Sequence, residues 1–444
     1  MNLDELKEKI KAAGVIGAGG AGFPTHMKLA PDIDTVVVNA AECEPLLYTD
    51  FTIMQQYMDK VAAGAEAVCQ ALGAGRVVIG MKEHTAAKLM LEDGAKVGRL
   101  SSVKLMPDVY PMGDEIVLIY QTLGRVVPPG QLPSSVGVVV INVETAYNVD
   151  NSVSGVPVTE KWITVGGDIP SPAVFRVPVN CNVKDVFKAA GITVPEGHAV
   201  LDGGPAMGNI INPDAAVVTK KTKSLLILPD TIPAVIAKLI PASRMIIRTP
   251  SACCQCFHCT EICPRYLLGY PLEPHKTLRA AGIEMTEHPE DLRTASLCSG
   301  CGVCTLMACC QGVSPSVIMA EVKKNLRAKK TGYRASEPTV PNIERDNRLV
   351  PVDSFKKHIG VDKFDRAAPY KGKLKVKQSI YKLMLSQHAG KPSVPVVKAG
   401  DGVSPGQMVA RADSGISAAL HTPVGGRVSA VTGSHIEITV SEVG

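Results

Sequence analysis

The chain has 444 residues, of which 45% are hydrophobic, and a formal net charge of +5. That length predicts roughly three or four domains, and so mild a charge, without an aromatic-rich basic groove, argues against nucleic acid as a partner. The longest apolar stretches, residues 136–143 and 225–241, are too short or too interrupted by proline for a transmembrane segment, and the charged, amphipathic start is not typical of a signal peptide.

A short amphipathic helix followed by a glycine-rich loop is predicted at the N-terminus. Apolar positions within residues 3–13 recur at helical spacing, and residues 17–24 read GAGGAGFP. Such loops bring backbone N–H groups close to a phosphate or a ring. Gly17, Gly19 and Gly22 match the letters of the dinucleotide fingerprint, but that fingerprint follows a strand and opens a helix. Here a helix precedes the loop and a proline follows it, which argues against an ordinary Rossmann site.

Further motifs follow over the first 150 residues. A strand-like run leads into residues 39–45, which read NAAECEP, and the segments 113–115 (GDE) and 142–145 (NVET) come after it. Taken in order with the glycine loop, these motifs resemble the flavin-binding module of the NADH-oxidising subunit of respiratory complex I and of the C subunit of Rnf electron-transport complexes. The resemblance implies an FMN cofactor and NADH as the electron donor.

The resemblance also implies which residues lie at the flavin. The loop glycines and Lys28 would hold the FMN phosphate and ring, and an acidic residue of the second loop would lie beside the dinucleotide. Carried over by motif, the cofactor-binding residues are Gly17, Gly19, Gly20, Gly22, Lys28, Asn39, Glu42, Glu44, Glu115, Asn142 and Thr145. A lysine beside a glycine loop supplies a compact positive charge for a phosphate, and acidic groups can accept hydrogen bonds from ribose hydroxyls. Cys43 stands where the family has serine. This difference concerns how the protein tunes the flavin, and not whether it binds the flavin.

Residues 162–229 predict a β-grasp domain. Strand patterns and glycine-rich turns surround a helical segment at 183–190. The segment resembles the soluble-ligand-binding β-grasp (SLBB) domain that follows the flavin module in the same families. It is interpreted as a spacer, since no titratable cluster accompanies it.

Two cysteine runs follow the β-grasp domain. They read Cys253-x2-Cys256-x2-Cys259-x3-Cys263-Pro264 and Cys298-x2-Cys301-x2-Cys304-x4-Cys309. Three cysteines in seven residues favour a [4Fe-4S] cluster over structural zinc, which usually uses separated C-x2-C pairs. In two-cluster ferredoxins the fourth ligand comes from the other motif. The prediction is therefore one cluster on Cys253, Cys256, Cys259 and Cys309, and a second on Cys298, Cys301, Cys304 and Cys263.

The second cysteine run departs from the usual spacing. Four residues precede Cys309, and Cys310 stands where proline is usual, so either thiol could close the cluster. Cys254 is interpreted as a spare thiol. Clustered cysteines of this kind indicate a reducing cytosol.

The last part of the chain predicts a basic linker and a small β domain. Lysines and arginines of the linker could steer an acidic redox partner or form a solvated surface. Residues 389–444 alternate apolar and polar positions between glycine turns, as in a barrel-sandwich hybrid of the biotinyl and lipoyl type. No modifiable lysine tip is present, which argues against covalent biotin or lipoate.

The predicted fold is multidomain α/β and α+β. Its parts are a complex I flavin-module-like FMN/NADH-binding domain (1–158), the β-grasp domain (159–235), a helical two-[4Fe-4S] ferredoxin-like domain (236–335), the basic linker (336–388) and the barrel-sandwich hybrid domain (389–444). Rnf C subunits carry the barrel-sandwich unit before the flavin module. The order found here resembles the cobalamin reductases of propanediol-utilisation microcompartments.

This resemblance implies an NADH-dependent oxidoreductase that passes electrons through FMN and two clusters to cobalamin. It implies a cytoplasmic protein inside a microcompartment, with an adenosyltransferase and microcompartment proteins as partners. An Rnf-type subunit that exchanges electrons with a ferredoxin or flavoprotein is one alternative. A scaffold that keeps its clusters only for structure is another.

Overall fold

A computed structural model describes residues 1–282, 289–335 and 337–441. Its N-terminal unit is a parallel sheet covered by helices. The strands of this sheet are β1 (Thr35–Ala40), β2 (Arg76–Lys82), β3 (Ser101–Met106) and β5 (Val138–Asn142), in the order β3-β2-β1-β5, and the short strand β4 (Val109–Tyr110) lies outside it. The helices are α1 (Leu3–Ala12), α2 (Thr25–Lys28), α3 (Thr49–Leu72), α4 (Glu83–Lys88), α5 (Glu115–Leu123) and α6 (Val143–Val153). The central strands are buried valine-rich runs, as expected for a parallel sheet with both faces covered.

Local sequence explains how the helices of this unit begin and pack. Asn2 and Glu5 form a capping box that starts α1, and this confirms the helix predicted before the glycine loop. Helices α3 and α6 approach closely at Gly64, where a Cβ would lie 2.0 Å from the carbonyl oxygen of Ala146. Only glycine fits there, so this contact fixes α6 and the residues at its N-terminus.

The second unit has β-grasp topology. Strands β6 (Glu160–Gly167) and β7 (Ala173–Pro178) form a hairpin, and α7 (Val183–Ala190), β8 (His198–Asp202), β9 (Asn209–Ile211) and β10 (Ser224–Pro229) follow. Strand β10 pairs in parallel with β6, in the order β7-β6-β10-β8-β9. Trp162 of β6 is 3% exposed and packs against Tyr57 and Tyr147, so this unit is joined to the first by an aromatic cluster.

Short helices surround the cysteine runs. They are α8 (Pro233–Leu239), α9 (Ala242–Ala252), α10 (His258–Glu261), α11 (Pro264–Leu267), α12 (Pro274–Gly282), α13 (Pro289–Arg293) and α14 (Pro315–Lys329). Leu278, Ile318 and Met319 lie in the core beneath them. None of the helices in the described part of the chain combines the length and apolar character that a membrane span requires.

Regular structure also occupies much of residues 336–388, which the sequence analysis treats as a linker. Strand β11 (Val350–Pro351) pairs with β4, α15 (Val352–Ile359) stacks Phe355 on Tyr110, and β12 (Tyr370–Lys373) extends the β-grasp sheet beside β7. The lysines of residues 370–377 alternate with half-buried positions, and Lys371 and Lys373 are outward side chains of the edge strand β12. Edge strands commonly carry lysine because it opposes pairing with other chains.

The C-terminal unit is built from two small antiparallel sheets. Its strands are β13 (Ile380–Met384), β14 (Val394–Pro395), β15 (Gly402–Val403), β16 (Met408–Arg411), β17 (Leu420–His421), β18 (Gly426–Val431) and β19 (His435–Val440). The sheet orders are β13-β19-β18-β15 and β14-β16-β17. Strand β13 pairs along its length with β19, so this unit begins before residue 389.

A buried lysine joins three units of the fold. The Lys220 amine donates to the carbonyl oxygens of Gly14 (2.7 Å) and Ala419 (2.8 Å). These acceptors belong to the N-terminal unit and the C-terminal unit, whereas Lys220 precedes β10 of the β-grasp unit. Burial lowers the pKa of Lys220 to about 7.

This lysine predicts a pH dependence of stability. In the unfolded chain Lys220 titrates near its usual 10.5, so between pH 7 and 10.5 the unfolded state binds more protons than the native state. The free energy of unfolding should therefore gain up to about 1.4 kcal/mol per pH unit from this group as the pH rises. Urea unfolding of the wild type and of Lys220→Met across this range should show a smaller slope in the variant. Equal slopes would contradict a neutral native lysine.

Candidate redox sites

The sequence-predicted flavin residues meet at the carboxyl ends of two neighbouring parallel strands. Asn39 is the half-buried next-to-last residue of β1, Asn142 is the last residue of β5, and the two are partners in the strand register. The chain runs from β1 outward to β2 and β3, and then returns to the other side of β1 with β5. Such a reversal leaves a crevice at the carboxyl ends of the strands, where ligands of open α/β sheets bind.

The glycine loop lies over this crevice. The N–H groups of Gly17 and Ala18 donate to the carbonyl of Phe23 (2.8 Å) and to Thr145 Oγ1 (3.0 Å). Among the described residues, no protein acceptor is found for the N–H groups of Gly19 and Gly20. A Cβ on Gly20 would meet nothing within 4 Å, whereas one on Gly19 would lie 3.2 Å from the Asn142 side chain. The loop tip is therefore an open cradle of backbone donors that fits a phosphate.

Lys28 and Glu115 face each other at the edge of the crevice. The Lys28 amine lies 3.1 Å from Glu115 Oε1 and donates to the carbonyl oxygen of Val140 (3.2 Å). Both side chains are about one third exposed, at 31% and 39%. Asn39 donates to the carbonyl oxygen of Gly113, two residues before Glu115. We call Gly17, Gly19, Gly20, Gly22, Lys28, Asn39, Glu115, Asn142 and Thr145 the switch-point site.

Glu42 has its hydrogen-bond partners within the protein. Its carboxylate accepts from the hydroxyl of Thr49 (2.8 Å) and from the N–H groups of Asp50 (2.9 Å) and Phe51 (3.0 Å). These donors form the first turn of α3, where an acidic group is stabilised by the helix dipole. Burial, and then the charge of Asp50, raise the pKa of Glu42. The contacts give Glu42 the role of a helix cap behind the crevice.

Glu44 is also fully engaged, and its partners lie outside the N-terminal unit. Its carboxylate accepts from the N–H groups of Ala206 (3.0 Å) and Met207 (2.8 Å), in the loop between β8 and β9. The Tyr110 hydroxyl oxygen lies 3.3 Å from Oε1 of the same carboxylate. Burial raises its pKa while the two amides oppose that rise. Glu44 therefore holds the β-grasp unit against the end of β1.

A charged network under Asn142 was not predicted from the sequence. Lys223, beside β10, forms an ion pair with buried Asp50 and donates to Asn142 Oδ1 (3.3 Å). Asn142 in turn donates to Asp50 Oδ2 (2.7 Å), and Glu144 pairs with buried Lys161. Residues from the β-grasp unit thus orient a crevice residue. Their separation in sequence from Asn142 left no local pattern that could have revealed them.

The cysteines line two separate cavities. Cys263, Cys298, Cys301 and Cys304 surround one of them, which we call the inner cavity. Three of these four cysteines are buried. Cys253, Cys256, Cys259 and Cys309 line the second, the outer cavity, together with Cys254 and Cys310. Each cavity therefore receives three cysteines of one run and its fourth from the other run.

The outer cavity holds more thiols than one cluster needs. Cys254, Cys256 and Cys310 are exposed, and their sulfur atoms lie within 4.8 Å of one another. Cys309 is less exposed and accepts a hydrogen bond at its Sγ from the N–H of Val313 (3.3 Å). An N–H donor to sulfur is a common feature of cluster ligands. Both Cys309 and Cys310 line the cavity, so the choice between them stays a prediction.

The chemistry of both cavities suits a cationic cluster core. Burial, followed by the proximity of other thiols, raises the pKa of Cys259 to about 12. The Cys263 thiol also has its pKa raised to about 12, chiefly by burial. Bound iron would stabilise the thiolates that burial disfavours. Convergent thiols are a donor set that fits [4Fe-4S] clusters.

The inner cavity is connected to the switch-point site. Arg265, which lines this cavity, donates to Asp114 Oδ2 through Nε (3.2 Å) and Nη2 (2.9 Å). Asp114 caps α5 through its other oxygen and precedes Glu115 in the chain. Tyr110 also donates to the carbonyl oxygen of Cys301 at 2.6 Å. Residues of the inner cavity thus form hydrogen bonds with Tyr110 and Asp114 of the N-terminal unit.

Comparison with known families identifies three parts of the chain. Residues 10–151 match the family model of the Nuo51 FMN-binding domain, residues 252–314 that of a 4Fe-4S dicluster domain, and residues 370–441 that of the RnfC barrel sandwich hybrid domain. These matches confirm the predicted kinds of domain. The last match begins at β12, in agreement with the early start of the C-terminal unit.

Similarity to a curated protein extends over almost the whole chain. The cobalamin reductase PduS of Salmonella typhimurium is 36% identical over 99% of this chain and 97% of its own length. The chain belongs to the PduS cobalamin reductase family. The cobalamin reductase PduS of Citrobacter freundii is also 36% identical to this chain, over 98% of this chain and 96% of that protein. The family membership inferred from domain order is therefore confirmed.

Rnf proteins are more distant relatives. The C subunit of the Na⁺-translocating ferredoxin:NAD⁺ oxidoreductase complex of Acetobacterium woodii is 34% identical over 60% of this chain and 59% of its own length. This similarity covers only part of both proteins. Full-length similarity to the PduS family distinguishes the two groups.

Proposed function

We propose that this protein is an NADH-dependent oxidoreductase that delivers electrons to cobalamin. One observation carries the proposal: a phosphate-cradling crevice and two cavities with at least four thiols each occur in one chain, and Arg265 and Asp114 connect the crevice to the inner cavity. Similarity to the PduS cobalamin reductases over the full length supports cobalamin as the acceptor.

The proposed cofactor ligands follow from the geometry. The switch-point site would hold FMN, with the open N–H groups of Gly19 and Gly20 and the Lys28 amine nearest to its anionic and polar groups. The inner cavity would hold one [4Fe-4S] cluster on Cys263, Cys298, Cys301 and Cys304. The outer cavity would hold the other on Cys253, Cys256, Cys259 and Cys309. Glu42 and Glu44 would shape the crevice through the backbone groups that they bind.

The arrangement of the two cavities gives the electron path a direction. When bound, FMN exchanges a hydride with NADH and single electrons with a cluster, and a [4Fe-4S] cluster carries one electron at a time. The thiols of the inner cavity are mostly buried, and Tyr110 of the N-terminal unit donates to the carbonyl oxygen of Cys301, which lines this cavity. Exposed Cys254, Cys256 and Cys310 open the outer cavity to solvent. The outer cavity would thus be the exit.

Cofactor content tests the proposal directly. Protein purified without oxygen is expected to contain about eight irons, about eight sulfides and about one flavin per chain, because the sequence supplies two four-thiolate sites and one flavin loop. NADH should reduce the flavin, and the reduced protein should reduce cobalamin. Iron, sulfide and flavin analysis followed by anaerobic spectroscopy measures both steps.

Three acceptors separate this function from its alternatives. Faster reduction of cobalamin than of a ferredoxin would support the proposal, whereas the reverse would favour the Rnf-type function that the partial similarity to Rnf C subunits suggests. A dye that accepts electrons from any reduced flavin serves as the control. Clusters without NADH oxidation would indicate a scaffold, and zinc without sulfide would overturn the assignment of the cysteines.

Family membership also supports a cellular setting. We propose that the protein works in the cytoplasm within a bacterial microcompartment, where an adenosyltransferase would consume the reduced corrin. Co-purification with an adenosyltransferase and with microcompartment proteins from a native host tests this setting.

A further inference from the structure

A turn of the β-grasp unit reaches the glycine loop of the N-terminal unit. The turn covers residues 219–223 and reads TKKTK, and its three lysines point to different parts of the junction. Lys220 is buried and bound to two carbonyl oxygens, and Lys223 is paired with Asp50. Lys221 differs from both, because its side chain is exposed.

The Lys221 side chain lies against the glycine loop. A Cβ placed on Gly22 would be 2.8 Å from Lys221 Cδ and 3.0 Å from Cγ, so the aliphatic stem packs on this glycine. Gly22 has a φ of +70° and cannot be replaced by another residue without strain. Gly22 therefore allows the turn of the loop and leaves room for Lys221, which is distant from it in sequence.

The backbone of the turn is fixed from two sides. Lys221 donates its N–H to Thr219 Oγ1 (3.3 Å), and Thr219 donates its N–H to Thr222 Oγ1 (3.1 Å). The N–H of Lys220 donates to the side chain of buried Gln387 (3.0 Å). The N–H of Ala389 donates to the carbonyl oxygen of Gly22 (3.1 Å). The C-terminal unit therefore holds both the turn and the glycine loop in place.

The Lys221 amine is available to a ligand. Within residues 1–282, 289–335 and 337–441, it makes no hydrogen bond or ion pair. Its charge acts at longer range on Asp202, whose carboxylate accepts from Thr222, and on His388. The stem of Lys221 packs on Gly22, two residues after the open N–H of Gly20. A lysine amine together with open backbone N–H groups is a combination that binds phosphate in proteins.

We propose that Lys221 is a phosphate-binding residue of the glycine loop, supplied by the β-grasp unit. This inference rests on the proposed function, because the phosphate would belong to FMN or to the diphosphate of NADH. The β-grasp unit then has a binding role, beyond the spacer role expected from sequence. Flavin binding would also require that the β-grasp turn be docked on the N-terminal unit.

Titration of the flavin-free full-length chain with FMN, followed by flavin fluorescence, tests the inference. If Lys221 binds the FMN phosphate, Lys221→Glu should raise the Kd for FMN by about tenfold or more, and Lys221→Arg should stay within about threefold of the wild type. Lys188→Glu, on the exposed face of α7, is the matched control and should change nothing. Iron content should be equal in all variants, since Lys221 lines neither of the two cysteine cavities.

Two further titrations identify the source of the phosphate. If Lys221 binds the FMN phosphate, Lys221→Glu should leave the Kd for riboflavin unchanged. If it binds the diphosphate of the dinucleotide, the variant should bind FMN normally and show a raised KM for NADH. A Lys221→Glu protein with wild-type values for both FMN and NADH would overturn the inference alone. A wild-type protein that binds no FMN would overturn the proposed function as well.

Discussion

A Cys263→Ala chain is expected to lose the cluster of the inner cavity and to keep the outer one. Cys263 belongs to the first cysteine run, but its side chain lines the cavity formed by Cys298, Cys301 and Cys304. Iron should fall from about eight to about four per chain. NADH should still reduce the flavin, whereas reduction of any acceptor beyond the clusters should fall to background because the connection is cut after the flavin.

The reciprocal change identifies the ligand of the outer cavity. Cys309→Ala should damage the cluster held by Cys253, Cys256 and Cys259, and the double change of Cys309 and Cys310 should be more severe, since adjacent Cys310 can substitute. Cys254→Ala is the matched control for an exposed thiol at the same cavity and should keep both magnetic resonance signals. Loss of a signal in Cys310→Ala with no effect of Cys309→Ala would assign the ligand to Cys310.

Replacing Gly19 with valine together with Lys28→Ala is expected to remove the flavin without changing the iron content. A side chain at Gly19 would enter the space beside Asn142, and loss of Lys28 would remove a cation from the crevice. The combined loss should weaken FMN binding by about 100-fold or more. Fluorescence titration with FMN and iron analysis of the same sample measure both quantities.

A surface lysine of the same unit provides the control for this pair of changes. Lys104 forms an exposed ion pair with Asp93, so Lys104→Ala should bind FMN as the wild type does. Parallel loss of flavin and iron in the Gly19 and Lys28 variant would indicate a general folding defect, and would contradict separate sites for the two cofactors.

The spacing of the cysteines was the most informative pattern in the sequence, because the chemistry of the clusters imposes this spacing. Three thiols in a short turn converge on one site, and the exchange of the fourth ligand follows the pattern of two-cluster ferredoxins. The glycine loop, Asn39 and Asn142 were predicted from their resemblance to the motifs of the flavin module in complex I and Rnf proteins. Sequence did not reveal that Glu42 and Glu44 bind backbone amides, because the donors at residues 49–51 and 206–207 become neighbours only in the folded chain.

Two other features depend on contacts between distant segments. Lys221 and Lys223 reach the crevice from the β-grasp unit, and neither belongs to a motif of the flavin module. Strand β12 was hidden because its alternating lysines resemble a solvated linker when its sheet partner, β7, is not known.

The contacts of the C-terminal unit separate the order of the domains in sequence from their order in space. This unit is the last in the chain, yet Ala389 binds Gly22, and Ala419 shares Lys220 with Gly14. Its neighbours are thus among the earliest residues of the chain. Circular permutation that moves the strands from β13 onward ahead of α1, through a linker of sufficient reach, could preserve every one of these contacts. The location of this unit at either end of a homologous chain is therefore compatible with a single three-dimensional arrangement around the glycine loop.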